Sequence, residues 1–387
     1  YQVFNLGRES ILISRAQDGE LYAFYNVCQH RGARVATDAG GCTKAFTCPY
    51  HGWSYRLDGS LLVVPDNQRF PNGGVNRAER SMPRLRVDTV AGMVFVSMNP
   101  DIAPLRDWLG GVVDRIEPFH VENMTLIEDQ TVSLDCNWKA VFDNFGELYH
   151  VEHIHPLHEL QFDCPTALLD LYGNGHTGVT IDGHIVNTKL PIPEDPTPYL
   201  ARRLKHFGED PTAYKGRVLE IRKVIQRLRR EQGPSQGYDY SEFSDERLTD
   251  VEQYNMFPNT MITIQPDDAL IMRARPHPTD PNKCWWDKFT FHRQADPKVA
   301  EQAGVPFVLK DPMGTDPRPR PAHDDFTQEE IISGEKTMGI TVDQDVHFIR
   351  DVQNGMHSRG FTAQLLNSDE ERIQHYHDWY DVVMGLR

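Results

Sequence analysis

The chain has 387 residues, with 40 Lys and Arg against 56 Asp and Glu, a formal charge of -16, and 39% hydrophobic residues. That length suits two domains around sizeable cores, and the acidic excess repels nucleic-acid phosphates and anionic membrane surfaces, which leaves small molecules and proteins as partners. Six cysteines spread over so long a chain make no disulfide scaffold, so a reducing, cytoplasmic setting is expected, and no apolar run reaches the ~20 residues of a membrane span.

The sequence starts at Tyr1 rather than Met, which implies leading residues before it. Short apolar strands then alternate with turns. "ILIS" and "LYAFYNV" flank Asp18-Gly19, "YRL" and "LLVV" flank Asp58-Gly59, and "GMVFVSM" follows; Asp-Gly between alternating strands is a strong hairpin signal. These elements predict an antiparallel β domain over 1–115, ending near "DIAPLRDWLG". Between its strands fall Cys28-x-His30 and, seventeen residues on, Cys48-x-x-His51. A structural zinc site usually groups cysteines with cysteines and histidines with histidines, whereas each pair here is mixed. A Rieske [2Fe-2S] cluster, in which two cysteines hold one iron and two histidines the other, asks for one of each from two loops. Cys42 reads as a small buried hydrophobe.

A second domain is expected over 116–387. "NWKAVFDNFGELYHVEHI" predicts a helix over 137–154, on which Asp143, Glu147 and His150 share a narrow stripe at about 100° per residue. Pro156 disfavours the helical conformation at His155, so the helix should end there and His155 turn back toward the same stripe. Two histidines and a carboxylate with open positions form the facial triad of non-haem Fe(II) oxygenases; His153 and His158 read as supporting or surface groups. "GVTIDGHIVNTKL", "NTMITIQPDDALIMRARP" and "CWWDKFTFH" predict strands, and the chain returns to helix from Asp343. The stretch 191–250 is polar, with Val218, Ile221, Ile225 and Leu228 at helical spacing and arginines expected on a solvated face. The class is α+β, one antiparallel sheet packed by helices. Leu160, Phe162, Leu168, Leu169, Met256, Phe257, Ile262, Ile264 and Phe291 form an apolar set suited to a hydrophobic substrate.

"CQHRGARV" and "CPYHGWSY" resemble the two cluster-binding loops of Rieske oxygenases, including Arg31-Gly32 and Gly52-Trp53, and "NWKAVFDNFGELYHVEHIHP" resembles the iron motif of their catalytic subunit. Over most of its length the chain resembles the alpha subunit of the aromatic ring-hydroxylating dioxygenase family, least over 191–250, which reads as an extension. The resemblance implies a Rieske domain followed by a helix-grip-like catalytic domain. It implies Cys28 and Cys48 on the outer iron of the [2Fe-2S] cluster, His30 and His51 on the iron nearer the surface by which electrons leave, and His150 and His155 on a mononuclear Fe(II). In "TVDQDVHFIRDVQNG" the third ligand becomes Asp345, two turns before Gln353. Asp343 is the runner-up, because the family usually has an acid directly before the ligand and this chain has Gln344. Glu147 would bridge His150 to His51 of the partner subunit in a homotrimer, with or without a beta subunit. Electrons would come from NAD(P)H through a reductase, with or without a ferredoxin, to activate O2 for mono- or dioxygenation of a small organic, aromatic substrate. The alternatives are an oxidative O- or N-demethylase and a Rieske electron-transfer protein; the latter would not need Glu147, His150, His155 and an acidic partner together.

Overall fold

Tyr1–Trp108 and Leu109–Arg387 form separate compact units in a computed structural model that describes residues 1–293 and 321–387. In the first unit β1 (Gln2–Leu6), β2 (Glu9–Arg15), β3 (Leu21–Tyr25), β4 (Phe46–Thr47), β5 (Ser54–Tyr55), β6 (Leu61–Val63), β7 (Arg84–Val90) and β8 (Met93–Ser97) make two antiparallel sheets, β1-β2-β3-β7-β8 and β4-β5-β6. The β2–β3 and β5–β6 pairs turn at the Asp-Gly steps, as the sequence predicts. Alternation along β2 and β3 sends Leu12 and Phe24 inward, where they pack with Phe46, Tyr55 and Leu61. Cys28, Cys48 and Trp53 belong to this same core, so the two Cys/His loops are rooted in it. Cys42 is exposed, against expectation: it lies in the largely exposed run 37–45, outside any strand.

Helix α1 (Leu105–Leu109) runs across the boundary, and α2 (Gly111–Ile116) opens the second unit. Most of α2 precedes the boundary expected at 115. It stays with the second unit because Val112, Val113 and Ile116 are buried and Arg115 donates to Tyr254 and Thr180. Strands β9 (Met124–Leu134), β10 (Phe162–Leu171), β11 (Thr177–Gly183), β12 (Val251–Met256), β13 (Thr260–Ile264), β14 (Asp268–Pro276), β15 (Cys284–Arg293) and β16 (His323–Thr327) form one sheet in the order β10-β11-β12-β13-β14-β15-β9-β16. Every pairing is antiparallel except β16 with β9, so the expected purely antiparallel sheet is mixed at that edge.

Helices α3 (Trp138–Asn144), α4 (Val151–Ile154), α5 (Pro198–His206), α6 (Ile221–Gln232), α7 (Gln328–Ile332), α8 (Ile340–Met356) and α9 (Glu371–Val383) follow in order among the described residues. Helix α3 packs on β14, β15 and α8, and α9 on β10 and β11. The buried positions of α8 are Val342, Asp345, Val346, Ile349 and Gln353, a stripe at helical spacing with a carboxylate inside it. Within 191–250, Leu200, Leu204, Ile221, Ile225 and Leu228 pack α5 and α6 around a small core of their own. Not all its arginines are solvated: Arg222 pairs with Asp250 at 2.6 Å, and Arg229 with Asp267 at 3.1 Å while only 4% exposed.

Candidate metal centres

The two loops of the first unit share one backbone device. The amide of Cys28 donates to Ala33 O and that of Gly32 to Cys28 O; likewise Cys48 donates to Trp53 O and Gly52 to Cys48 O. Gly32 and Gly52 stand at φ +79° and +71°, where a side chain would be strained, which explains a glycine four residues after each cysteine. The turns bury both cysteines and place the His30 and His51 rings 4.6 Å apart, with His51 exposed. His30 stacks on Trp53 at 5.0 Å. The Tyr55 hydroxyl lies 3.3 Å from Cys28 Sγ and accepts from the Gln29 amide. Burial pushes the Cys28 thiol up, and His30 Nδ1 is buried with no hydrogen-bond partner. Two buried thiols and two adjacent imidazoles thus stand on matching loops, with His30 Nδ1 uncommitted, a donor set that fits a mixed-ligand iron–sulfur cluster.

In the second unit the predicted continuous helix over 137–154 is broken. Its first part ends at Asn144 and a turn over 145–150 leads into α4. Gly146 is a weak helix former, and a Cβ there would stand 3.0 Å from Ile373 Cγ1 of α9, so the break lets α9 close in. The single stripe therefore does not form: Asp143 pairs with His377 Nε2 at 2.8 Å, while Glu147 and His150 meet across the turn. Helix α4 does end at Ile154, with His155 non-helical at φ -118°, ψ 63°.

Donor atoms of His150, His155 and Asp345 all lie within 4.8 Å of one another. Glu147 Oε2 accepts the His150 amide at 3.0 Å, and Oε1 accepts a short hydrogen bond from His150 Nδ1. Gln344 Oε1 accepts from His155 Nδ1 at 2.8 Å. With both Nδ1 atoms donating backward, each imidazole turns its Nε2 toward Asp345 Oδ1, 3.1 Å from His155 and 3.7 Å from His150. Lone pairs facing a carboxylate repel unless a cation sits among them. Asp345 is 1% exposed and its Oδ2 has no partner, a burial that a bound cation would offset. Burial lowers His155, but Asp345 more than offsets this and raises it, the response of an imidazole beside an uncompensated anion. His158, held at about 4 by burial and by His155, donates to or accepts from Thr341 Oγ1 at 3.0 Å, and His153 is exposed. Asp343, in the first turn of α8, instead accepts from the Met338 amide at 2.8 Å and from the Thr337 hydroxyl.

Residues 121–386 match the family described as ring hydroxylating alpha subunit (catalytic domain), and residues 1–79 match the Rieske [2Fe-2S] domain. The chain belongs to the ring-hydroxylating alpha subunit family. The chain is 31% identical over 156 residues to the glycine betaine monooxygenase oxygenase subunit of Pseudomonas aeruginosa, covering 40% of this chain and 36% of that one. It is 35% identical over 164 residues to the 2-halobenzoate 1,2-dioxygenase large subunit of Burkholderia cepacia, covering 40% and 35%. These matches span little more than a third of each relative's length. Among solved structures, the quaternary ammonium Rieske monooxygenase CntA in complex with L-carnitine shares the fold with a TM-score of 0.64 at 19% identity, over 99% of this chain and 84% of that one. The two family matches imply a Rieske cluster and a mononuclear iron for this chain.

Three residues around the candidate centres are not singled out by the sequence. Gln344 stood out only as a departure from the family pattern, although its place beside Asp345 could have marked it. Tyr55 stands out in the sequence only as the last residue of "CPYHGWSY" and the first of the strand "YRL", with no role of its own. Arg372 of α9 is 1% exposed and donates to Thr177 Oγ1 and Gln253 Oε1; burial pushes it down to about 10 while Glu147 pulls the other way. Of the predicted apolar set, Met256, Ile262 and Ile264 are sheet core and Leu168 is 69% exposed. A cleft beside α4 is lined by Leu169 of the predicted set together with Leu148, Tyr149, Glu152 and Cys164, which are outside it. Among the described residues no helix is long and apolar enough to cross a membrane.

Proposed function

We propose that the chain is the terminal oxygenase component of a multi-protein system that uses O2 to hydroxylate a small organic, aromatic substrate. The observation that carries this reading is the convergence of His150 Nε2, His155 Nε2 and Asp345 on one point, with both imidazole tautomers fixed from behind. In this reading Cys28, Cys48, His30 and His51 hold the cluster, and His150, His155 and Asp345 hold the mononuclear iron. When bound, the cluster supplies electrons and the iron supplies open positions for O2 chemistry. The chain's own residues do the rest: Glu147 and Gln344 hold the Nδ1 protons and keep both Nε2 atoms free, and the buried Asp345 supplies the negative charge. Glu147 would also accept from His51 of the partner subunit, which would join two centres in a trimer. A reductase drawing on NAD(P)H, with or without a ferredoxin, would load the cluster.

A second reading, oxidative N- or O-demethylation, is favoured by the relatives named as glycine betaine and carnitine monooxygenase oxygenase subunits. A pure electron carrier would not need the triad. The test is O2 uptake by iron-loaded protein with a reductase and a panel of aromatic acids, methoxyarenes and quaternary amines. Uptake should depend on one substrate class and be lost in Asp345→Ala; ring hydroxylation without formaldehyde supports the first reading, formaldehyde release the second. No substrate-dependent uptake with any class, from protein whose mononuclear site is filled, would leave the oxygenase reading without support.

A further inference from the structure

Two arginines of 191–250, the buried Arg229 and the half-buried Arg203, act on one another without enough negative charge to match them. Arg229 on α6 spends its Nη2 on Asp267 Oδ2 at 3.1 Å, while its Nε and Nη1 are buried and unpartnered. Arg203 on α5 has a buried, unpartnered Nε of its own. The two guanidiniums are close enough to act on one another: burial lowers Arg203, and Arg229 lowers it further. Both also act on His184, which burial holds well below its usual range.

His184 cannot supply a countercharge. Its Nδ1–H donates to Thr249 O and its Nε2 accepts from the Tyr199 hydroxyl, each at 3.3 Å, so it is a neutral, fully committed imidazole. Asp267 is the carboxylate that acts on Arg203, and it also accepts from Tyr240 at 2.6 Å. Asp250 is already engaged by Arg222 at 2.6 Å. Arg293, 5.3 Å from the Tyr240 ring centre and donating to Asp239 O, adds positive charge rather than removing it. The locus is therefore short of negative charge by at least one unit. Isolated buried charges and unmade hydrogen bonds both destabilise a fold, and a buried water would answer only the second need.

Aromatic rings surround the pair. Arg203 lies 6.0 Å from the centre of Phe207, Arg229 lies 5.8 Å from Tyr240, and Tyr199 reaches in through His184. Such walls suit an anion with an apolar end better than a fully hydrated one such as phosphate.

We infer that Arg203 and Arg229 form a buried binding site for a small organic monocarboxylate, whose oxygens accept from the free guanidinium N–H groups while its apolar end lies against Phe207 and Tyr240. The site is built by α5, α6 and the β13–β14 turn and does not depend on the oxygenase reading. Titration calorimetry of metal-loaded protein with sodium benzoate, against sodium chloride at equal ionic strength, tests it. Wild type should show one saturable site per chain. Arg203→Gln and Arg229→Gln should each bind roughly 30-fold more weakly or worse, the loss that follows removal of one cation from a buried charge pair. No heat beyond that of chloride in wild type overturns the inference, as does equal affinity for inorganic phosphate, which would mark an unselective anion sink. Benzoate at the iron would mimic the result, so His150→Ala is the control: binding lost there and kept in the arginine variants places the ligand elsewhere and overturns it too. Should the arginine variants not fold, a crystal structure grown in benzoate decides, with a carboxylate between Arg203 and Arg229 in support and ordered water alone against.

Discussion

Glu147 does three jobs with one carboxylate. Oε2 holds the His150 amide at the turn that breaks the helix, Oε1 fixes the His150 tautomer, and its charge offsets the buried Arg372. Gln344 does only one, orienting His155 through its neutral amide oxygen. This difference separates their variants. Gln344→Leu should weaken the mononuclear iron about 10–100-fold, the usual cost of losing a partner behind a ligating histidine, with no change at the cluster. Glu147→Gln keeps an acceptor for His150, so it should retain both metals, but it removes the charge and weakens any bridge to another imidazole. Single-turnover reoxidation of pre-reduced protein, followed at the cluster's absorbance with iron content measured on the same sample, checks both. Unchanged reoxidation in a fully loaded Glu147→Gln protein would remove Glu147 from the electron route, and unchanged iron affinity in Gln344→Leu would make its hydrogen bond incidental.

At the scale of elements, what could be read in the sequence is what local pattern encodes. The Cys/His loops are contiguous, and their spacing is set by two tight turns of four residues each. Asp345 was legible because α8 is regular, so eight residues to Gln353 keep both on the buried stripe. The broken helix was not legible, because Gly146 alone does not end a helix and the side chain it makes room for, Ile373, arrives from α9, more than two hundred residues on. Strand β12 was missed because Glu252, Gln253 and Asn255 look like surface; Glu252 is met by Arg115 and Arg247, Gln253 by Arg372 and Asn255 by Phe145 O, partners that only the fold supplies. The break also gives Asp143 a different role from the one expected, joining α3 to α9 through His377. Burial lowers His377, yet Asp143 outweighs it and the pKa is raised. A raised histidine contributes stability that is complete below its unfolded value, about 6.5, and is lost as pH rises through the folded value. His377→Gln should therefore cost up to about 1 kcal/mol at pH 6, modest because the ring is partly solvated, and little at pH 9. Urea midpoints of both proteins at the two pH values measure it, and an equal difference at both would show that packing, not charge, makes the contribution.

Over the whole molecule, the two candidate centres are built by different units with different cores: all four cluster donors stand within Tyr1–Trp108 and all three triad donors within Leu109–Arg387. They also differ in how firmly they would hold metal. The cluster donors sit on loops rooted in a core that includes Cys28, Cys48 and Trp53, and the cluster's own sulfides share its irons. The triad offers three donors, and His150 keeps 17% of its side-chain surface open, which leaves coordination positions within reach of a competing ligand. Dialysis against a divalent-metal chelator should accordingly remove one iron per chain and abolish substrate-dependent O2 uptake while the visible spectrum of the cluster stays intact. Anaerobic Fe(II) should restore the uptake in wild type. In Asp345→Ala it should not, because the site has lost the charge that offsets the cation. A chelator that bleached the cluster in step with the lost activity would mean that the two centres share a fate the separate cores do not explain, and the assignment of the triad as an independent site would fall with it.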